Sequence, residues 1–486
     1  MASRALIKCA SPNVKKQHRL FKIVAFSIFF AICAAGCSFQ PYVAKPIDQT
    51  ASINRLELKN PSNAEFNQYL LNNGYETDRL PIKEWGLDEL TYCALFFHPS
   101  LEVARAQWRA AQQAESSAAE RTTPTINGNI AHSDDPDPTK KPFAFGLSID
   151  IPVETANKRY IRIENAQHLS QAAKLEIAQT AWQLKSKLAQ VFSEYQYNQT
   201  QLRLLNEEAL GKQEIVSILQ KRFSLGEANN IELNNAKLQL QIANAAANTA
   251  QQNTLVLYAK LASSIGLPLP VLKTMPLSSE NSRLYIDLPN ADLQSAALLN
   301  RLDIRIALER YALAESKLKL EIAKQYPDLV ISPGAAYEFG DHIWSLGISG
   351  LLALLNKNKV NIEQATQLRE VEAAQIEALQ SQVILDASIA NAEVKQAKDV
   401  LENQKKLLIY QELNTKRMQA RLAAGEIDRL DMTYAKLENM NAEKNVALAQ
   451  YQLNQAINQL ENVLQRPLAD KTFAIINRQI KTEGAQ

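Results

Sequence analysis

RFSLGEANNIELNNAKL (residues 222–238) and RLAAGEIDRLDMTYAKL (residues 421–437) are two versions of one segment, 199 positions apart. Each copy leaves a helix-compatible run at a Gly-Glu pair, Gly226-Glu227 or Gly425-Glu426, and then enters a second such run. Glycine at the break suits the positive φ of a helical reversal. Working outwards, Asn-Lys at 157 and 356 and Ile-Glu at 163 and 362 extend the match, so that from Asn157 to Pro268 the second copy runs 199 residues later without a gap and ends on Pro467. Further upstream Gly146, Leu147 and Ser148 match Gly347, Ile348 and Ser349, and Leu101, Ala104 and Pro124 match Ile304, Ala307 and Pro327. One duplicated unit therefore builds most of the 486 residues.

Within each unit two kinds of element alternate. Residues 157–222 contain no proline and one glycine, Gly211. At about 1.5 Å per residue such a helix reaches roughly 100 Å. Ile177, Ala181, Leu184, Leu188, Val191, Tyr195, Asn198, Leu202, Leu205 and Ala209 step by three and four, which is a coiled-coil seam. A shorter helix over 230–264 returns alongside, and an earlier helical pattern covers 88–121 until Pro124 stops it. Between them, 125–132 and 143–152 read as strands around the polar loop SDDPDPTKK, with 329–339 and 343–352 as their second copies. Phe143, Phe145, Leu147, Ile149 and Ile151 alternate with Ala144, Gly146, Ser148 and Asp150, and Trp344, Leu346 and Ile348 alternate with Ser345, Gly347 and Ser349. Each copy thus holds one amphipathic hairpin.

The first 22 residues carry Arg4, Lys8, Lys15, Lys16, Arg19 and Lys22 with no acid, residues 23–35 are apolar, and Ala-Ala-Gly-Cys closes the segment at Cys37. This predicts a secretory signal over 1–36 that ends at a lipobox, with Cys37 as a lipidated first residue carrying covalent lipid such as palmitate. An ordinary cleaved signal or an uncleaved anchor is the alternative, since Ala34 stands where a lipobox usually has Leu. Without 1–36 the chain keeps 47 basic against 51 acidic residues, a net charge of about −4. No basic field for nucleic acid remains. Cys93 then stands alone, which leaves no disulfide framework within one chain.

No apolar run of eighteen residues follows Cys37, so the membrane-competent elements are the four strands. Strands that are apolar on one side and small and polar on the other suit lipid outside and water inside a barrel, which puts Phe145, Leu147, Ile149, Leu346 and Ile348 towards lipid. Four strands cannot close alone, and an open edge in hydrocarbon leaves backbone groups unpaired. Several chains must share one barrel.

Here the chain resembles the TolC-type outer-membrane efflux channels, in their lipoprotein branch. WGLDELTYCALFFHPSLEVARAQ (85–107) is similar to the family's opening helix, and the two quoted segments to its tip turns. The resemblance implies a mainly α, α+β membrane protein. Its duplicated coiled-coil helices would form a periplasmic α-barrel, and a homotrimer would share one twelve-strand β-barrel. The implied organisation is a signal (1–36), a lipid-anchored strap (37–85), a first efflux repeat (86–268), a linker (269–290), a second repeat (291–467) and a tail (468–486). Partners would be a periplasmic adaptor and an inner-membrane pump of the RND type. Type I secretion, or a periplasmic coiled-coil adaptor without a pore, are the alternatives. IPVETANKRYIRIENAQ (151–167) is similar to a region of the cobalt-zinc-cadmium efflux members, although Ala156 and Asn157 stand in place of two glycines.

No enzyme chemistry is expected, and no cofactor apart from the lipid on Cys37. His98, His132, His168 and His342 are scattered, which predicts a surface residue at His98 and solvated loop residues at His132 and His342, with no metal site. Asp431 and Glu232 each lie six residues after a turn glycine, where the resemblance implies acids ringing an aperture; a solvated face of a charged helix is the other reading. Gly226, Glu227, Gly425 and Glu426 are the candidate adaptor-docking turns. Tyr337, Phe339 and Trp344 fall near strand ends, as an interfacial aromatic belt or as packing beneath the barrel.

Overall fold

A computed structural model describes residues 40–134, 141–279, 298–299, 301–350 and 357–468. The expected signal and Cys37 lie outside these residues, as do half of the 269–290 linker, the end of the 343–352 strand and all but the first residue of the 468–486 tail. Contacts divide the chain after Arg55. A short helix α1 (Gln49–Glu57) crosses that boundary and buries none of its residues.

Beyond the boundary the strap is not merely a covering. In α2 (Ala64–Asn72) Phe66 and Leu70, one turn apart, are both 0% exposed. The Phe66 ring lies 6.4 Å from Trp85 and 5.5 Å from Phe97. Two large apolar side chains in an otherwise polar stretch were too few for a periodic signal, yet they suffice to pin the segment into the main core. Ahead of them, the Lys59 ammonium donates to the Phe97 carbonyl at 2.6 Å and to the Gly266 carbonyl at 3.1 Å. Both acceptors belong to helix ends whose last carbonyls lack intrahelical partners.

The single helix expected over 88–121 is two, α3 (Leu87–Phe97) and α4 (Pro99–Ala119), separated at His98. Proline restricts the residue before it to extended backbone, and His98 has φ −74 and ψ 126. Rather than lying free on the surface, His98 caps α4: its Nδ1 accepts from the Ser100 amide at 3.3 Å and lies 2.7 Å from the Ser100 hydroxyl. Burial, and secondly the nearby Lys59 charge, depress its pKa.

Then come β1 (Thr125–His132), β2 (Phe143–Val153), the long helix α5 (Lys158–Ser224) and the returning α6 (Asn230–Ile265), followed by the short α7 (Leu269–Lys273). The second unit repeats them as α8 (Leu302–Ala323), β3 (Leu329–Glu338), β4 (Asp341–Gly350), α9 (Lys359–Ala423) and α10 (Arg429–Leu464). At 67 residues and about 1.5 Å per residue, α5 is roughly 100 Å long. Its upper half packs with α3 and α6 through Leu175, Ala178, Leu188, Leu261 and Ile265, the centre of the largest apolar cluster.

The gapless match from Asn157 needs correction at its start. The residue that opens α5 is Asn157, and the one that opens α9 is Asn358, not Asn356. Both are left-handed, with φ 58 and 49, and each follows another left-handed residue, Ala156 (φ 52) or Lys357 (φ 47). The hairpin offset of 201 therefore persists to the helix start, and α9, with 65 residues, is two shorter than α5 before the tips realign. Glycine would adopt such angles free of the Cβ penalty. Asparagine tolerates the conformation; Ala156 and Lys357 hold it at a cost of about 1 kcal/mol each.

The four strands form one antiparallel sheet in the order β1-β2-β3-β4. Directly opposed residues share a face. One face gathers Ile126 with Ile149, Ile130 with Phe145, Phe145 with Tyr337, Ile331 with Ile348, and Ala335 with Trp344. The other gathers Asn127 with Ser148, Thr125 with Asp150, Gly334 with Ser345, and Ser332 with Gly347. The register itself repeats, since Asn127 opposite Ser148 becomes Val330 opposite Ser349 in the second unit. At the strand-to-helix junction the Lys158 ammonium, buried, donates to Asp328 Oδ1 at 2.8 Å and to the Tyr326 carbonyl at 2.6 Å.

Candidate functional site

The two tips share one construction. The α5 end closes as a Schellman motif, with the Glu227 amide donating to the Arg222 carbonyl at 2.8 Å and the Gly226 amide to the Phe223 carbonyl at 3.1 Å. The α9 end repeats it, from Glu426 to Arg421 at 2.9 Å and from Gly425 to Leu422 at 3.0 Å. Gly226 and Gly425 have φ 77 and 74, and a Cβ built on either would meet nothing within 4 Å. Both turns are thus exposed backbone that a side chain would strain and obstruct. Glu426 also pairs with Arg421 at 3.1 Å.

Each turn hands over to the next helix through a capping side chain that the sequence reading passed over. Asn229 Oδ1 accepts from the Glu232 amide at 2.8 Å, and Asp428 Oδ1 accepts from the Asp431 amide at 2.9 Å. Glu232 and Asp431 are the third helical residues of α6 and α10, where a carboxylate favours the helix N-terminus. Asp431 completes a capping box by accepting from the Asp428 amide at 3.4 Å. Both acids are exposed, so an aperture role and a capping role are compatible. Asp428 additionally receives the Arg222 guanidinium from the tip of the first unit. The Asp431 amide, and then Arg222, hold the Asp428 carboxyl below its usual range. Beside this pair a groove of about 630 Å³ opens between α5, α6 and α10, lined among others by Ile215, Leu219, Glu232, Leu430 and Tyr434.

At the other end of α5 stands the sheet. Phe145, Leu147, Ile149, Leu346 and Ile348, the expected lipid-facing residues, are all exposed, and Trp344 beside them is 86% exposed. An apolar sheet face of this extent has no counterpart on ordinary water-facing surfaces. Trp344 does not pack beneath the sheet. His132, on β1, lies 3.1 Å from Asp134, while His342, on β4, faces Tyr337; two strands separate them. Among the described residues no three His, Cys, Asp or Glu side chains are grouped to hold a metal ion, and no helix is long and apolar enough to cross a membrane.

Residues 90–267, from α3 to the end of α6, match the family described as outer membrane efflux protein. That match lies within the first repeat. Solved outer-membrane channels share the fold over nearly their whole length. The CmeC channel of Campylobacter jejuni matches with a TM-score of 0.65 at 15% identity, covering 92% of this chain and 98% of that one. The outer-membrane channel OprN matches with a TM-score of 0.64 at 18% identity, covering 88% of this chain and 99% of that one. Among curated proteins, the cobalt-zinc-cadmium resistance protein CzcC of Cupriavidus metallidurans is 23% identical over 253 residues. That alignment takes in 50% of this chain and spans 58% of CzcC.

In the matched first repeat the hairpin and the tip turn are placed at opposite ends of one helix, and the second repeat supplies both again. The N-cap residues were legible only as Asn or Asp three residues after a glycine, a signal hidden by the acids around it.

Asp428 yields a test of the tip. Its carboxyl is held below the 3.8 of an unperturbed aspartate. Its stabilising contacts are therefore fully present above about pH 4 and disappear as pH falls through the lowered value. Hydrogen exchange at the first turn of α10, corrected for intrinsic rates, is expected to lose protection on that acid limb. Asp428→Asn should keep the cap but show no such step, and Asp428→Ala should cost about 1 kcal/mol of local stability at neutral pH.

Proposed function

We propose that this chain is the outer-membrane channel of a tripartite efflux system, a passive conduit for small molecules or metal ions across periplasm and outer membrane. The observation that carries the reading is the four-stranded sheet, apolar and exposed on one face, polar on the other, and open at both β1 and β4. In lipid those edges must be paired. Three copies give twelve strands, a closed barrel within the known range, and the duplicated helices continue it as a tube. The inner face would carry Asn127, Ser148, Ser332 and Ser345, small polar groups that discriminate little. Selection of cargo then falls to an inner-membrane pump of the RND type, reached through a periplasmic adaptor.

Three further features of the reading follow. Cys37 carries the lipid anchor of a lipoprotein, so Cys37→Ala should abolish incorporation of labelled fatty acid; normal labelling in that variant would assign residues 1–36 to an ordinary signal. The exposed Gly226 and Gly425 turns receive the adaptor. Three copies of Asp431, with those of Glu232, ring the periplasmic aperture, where like charges concentrate cations.

Mass in detergent should correspond to a trimer. Leu147→Asp and Ile348→Asp should block membrane assembly, while Ser148→Asp and Ser349→Asp should be tolerated, since a carboxylate facing lipid is destabilising and one facing water costs little. Equal tolerance at all four positions would sink the barrel assignment. At the tip, Gly425→Trp should abolish export in cells yet leave the conductance of the purified pore nearly unchanged. Asp431→Ala should do the reverse, raising conductance in planar bilayers and weakening block by divalent cations. Full export with Gly425→Trp would take docking away from this turn.

A further inference from the structure

The two repeats sit side by side in one chain, so one seam between them is visible. There α5 of the first unit packs on α10 of the second. The seam mixes ion pairs with apolar contacts: Glu208 pairs with Lys444 at 2.7 Å, Glu214 with Arg429 at 3.0 Å and Arg222 with Asp428, while Tyr197 stacks on Tyr451 at 4.7 Å and Ile215 and Leu219 cluster with Leu437. Higher up, Gln455 donates to the Gln190 carbonyl at 3.3 Å. Gly211 leaves the room that Leu437 fills, since a Cβ there would come within 2.9 Å of Leu437 Cδ2.

If units follow one another around a ring, the same seam must recur between α9 of one copy and α6 of the next. The repeat offset of 199 converts each observed pair into one pair of that second seam. Gly211 opposite Leu437 becomes Tyr410 opposite Leu238, Gln190 opposite Gln455 becomes Ile389 opposite Val256, and Glu208 opposite Lys444 becomes Leu407 opposite Ala245. In the single chain Tyr410 is 73%, Leu238 56%, Ile389 58% and Val256 53% exposed. Along the middle of the seam, positions that carry the Glu208–Lys444 ion pair and the Gln190–Gln455 contact inside the chain carry aliphatic side chains where a second copy would come, whereas the stacked Tyr197–Tyr451 pair becomes Gln396 opposite Gln252 and, at the tip, Arg222 opposite Asp428 becomes Arg421 opposite Asn229.

We propose that the helical seam between copies of this chain is an apolar zipper of α9 against the neighbour's α6, in the register that sets Tyr410 against Leu238 and Ile389 against Val256. The partner is a second copy of this chain, chosen by the duplication: α9 repeats α5 and α6 repeats α10, the two helices that pack together inside the chain. The proposal rests on the reading of the channel as a ring of copies, and adds which helices meet, in what register, and by what force. Burying these side chains removes large apolar surfaces from water at about 25 cal/mol per Å². Such a seam holds without ions and is insensitive to salt. Two heptads along α6, Gln252 marks a different register about 21 Å away at 1.5 Å per residue.

The test uses full-length chains carrying different affinity tags, co-expressed and treated in membranes with a short bismaleimide. Native Cys93 is fully buried and does not compete. A Tyr410→Cys chain with a Leu238→Cys chain should give a two-chain product bearing both tags, undiminished in high salt. A Tyr410→Cys chain with a Gln252→Cys chain should give none. Equal or greater linkage through Gln252→Cys, or no linkage while the purified protein keeps an oligomeric mass, would overturn the register and leave the conduit reading standing. A monomeric mass for the unmodified protein would overturn both. Tyr410→Asp should also shift that mass towards monomer while helix content by circular dichroism stays unchanged; an unaltered oligomer would remove Tyr410 from the seam.

Discussion

The backbone of a strand inside a membrane has nowhere to place an unpaired N–H or C=O, and that constraint governs the rest of this molecule. Four strands in sequential order leave β1 and β4 each with one open side. Everything else can be read as the means of meeting that demand repeatedly. The alternation of Phe145, Leu147 and Ile149 with Gly146 and Ser148 sorts the two faces of the sheet. The long helices lead away from the sheet, where water relaxes the backbone requirement and side chains decide what packs.

Duplication solves the problem with half the sequence information, but the two units are not interchangeable. Their hairpins keep one register, from Asn127 and Ser148 to Val330 and Ser349. Their tips keep the same Schellman closure and a capping Asn or Asp. Their helix flanks have diverged: Glu208, paired with Lys444, and Gln190, in contact with Gln455, correspond in the second unit to the exposed apolar Leu407 and Ile389. Inside one chain the partner is always present, and weak, specific polar pairs such as Glu208 with Lys444 are sufficient.

Much of this was legible before any coordinates, because the decisive signals are long or repeated. The strands fall within two residues of their expected ends wherever they are described, and the tip glycines sit where the reversal needed them. What was hidden was local. The break at His98 depends on one proline inside a run that is otherwise helical on both sides. Burial of Phe66 and Leu70 depends on a distant core made by other helices. The two-residue displacement at the start of α9 was masked by the coincidence Asn-Lys-Asn-Lys at 356–359, in which either Asn could serve as the match. Ala156 and Asn157 read as a loss of paired glycines, yet the backbone keeps the left-handed turn and tolerates the strain. For Asp431, a residue that caps its own helix and faces outward gives sequence reasoning no means of separating the two roles.

The exposed stripe on α9 and α6 and the two bare strands also bear on how the protein comes into being. A newly made copy shows Tyr410, Ile389, Leu346 and Ile348 to its surroundings at once. Its stability is then a matter of mass action, rising with the concentration of its own kind. At low abundance the same surfaces are sticky ends for whatever else is unfolded nearby. Accumulation of the folded chain is therefore coupled to the supply of further copies of itself.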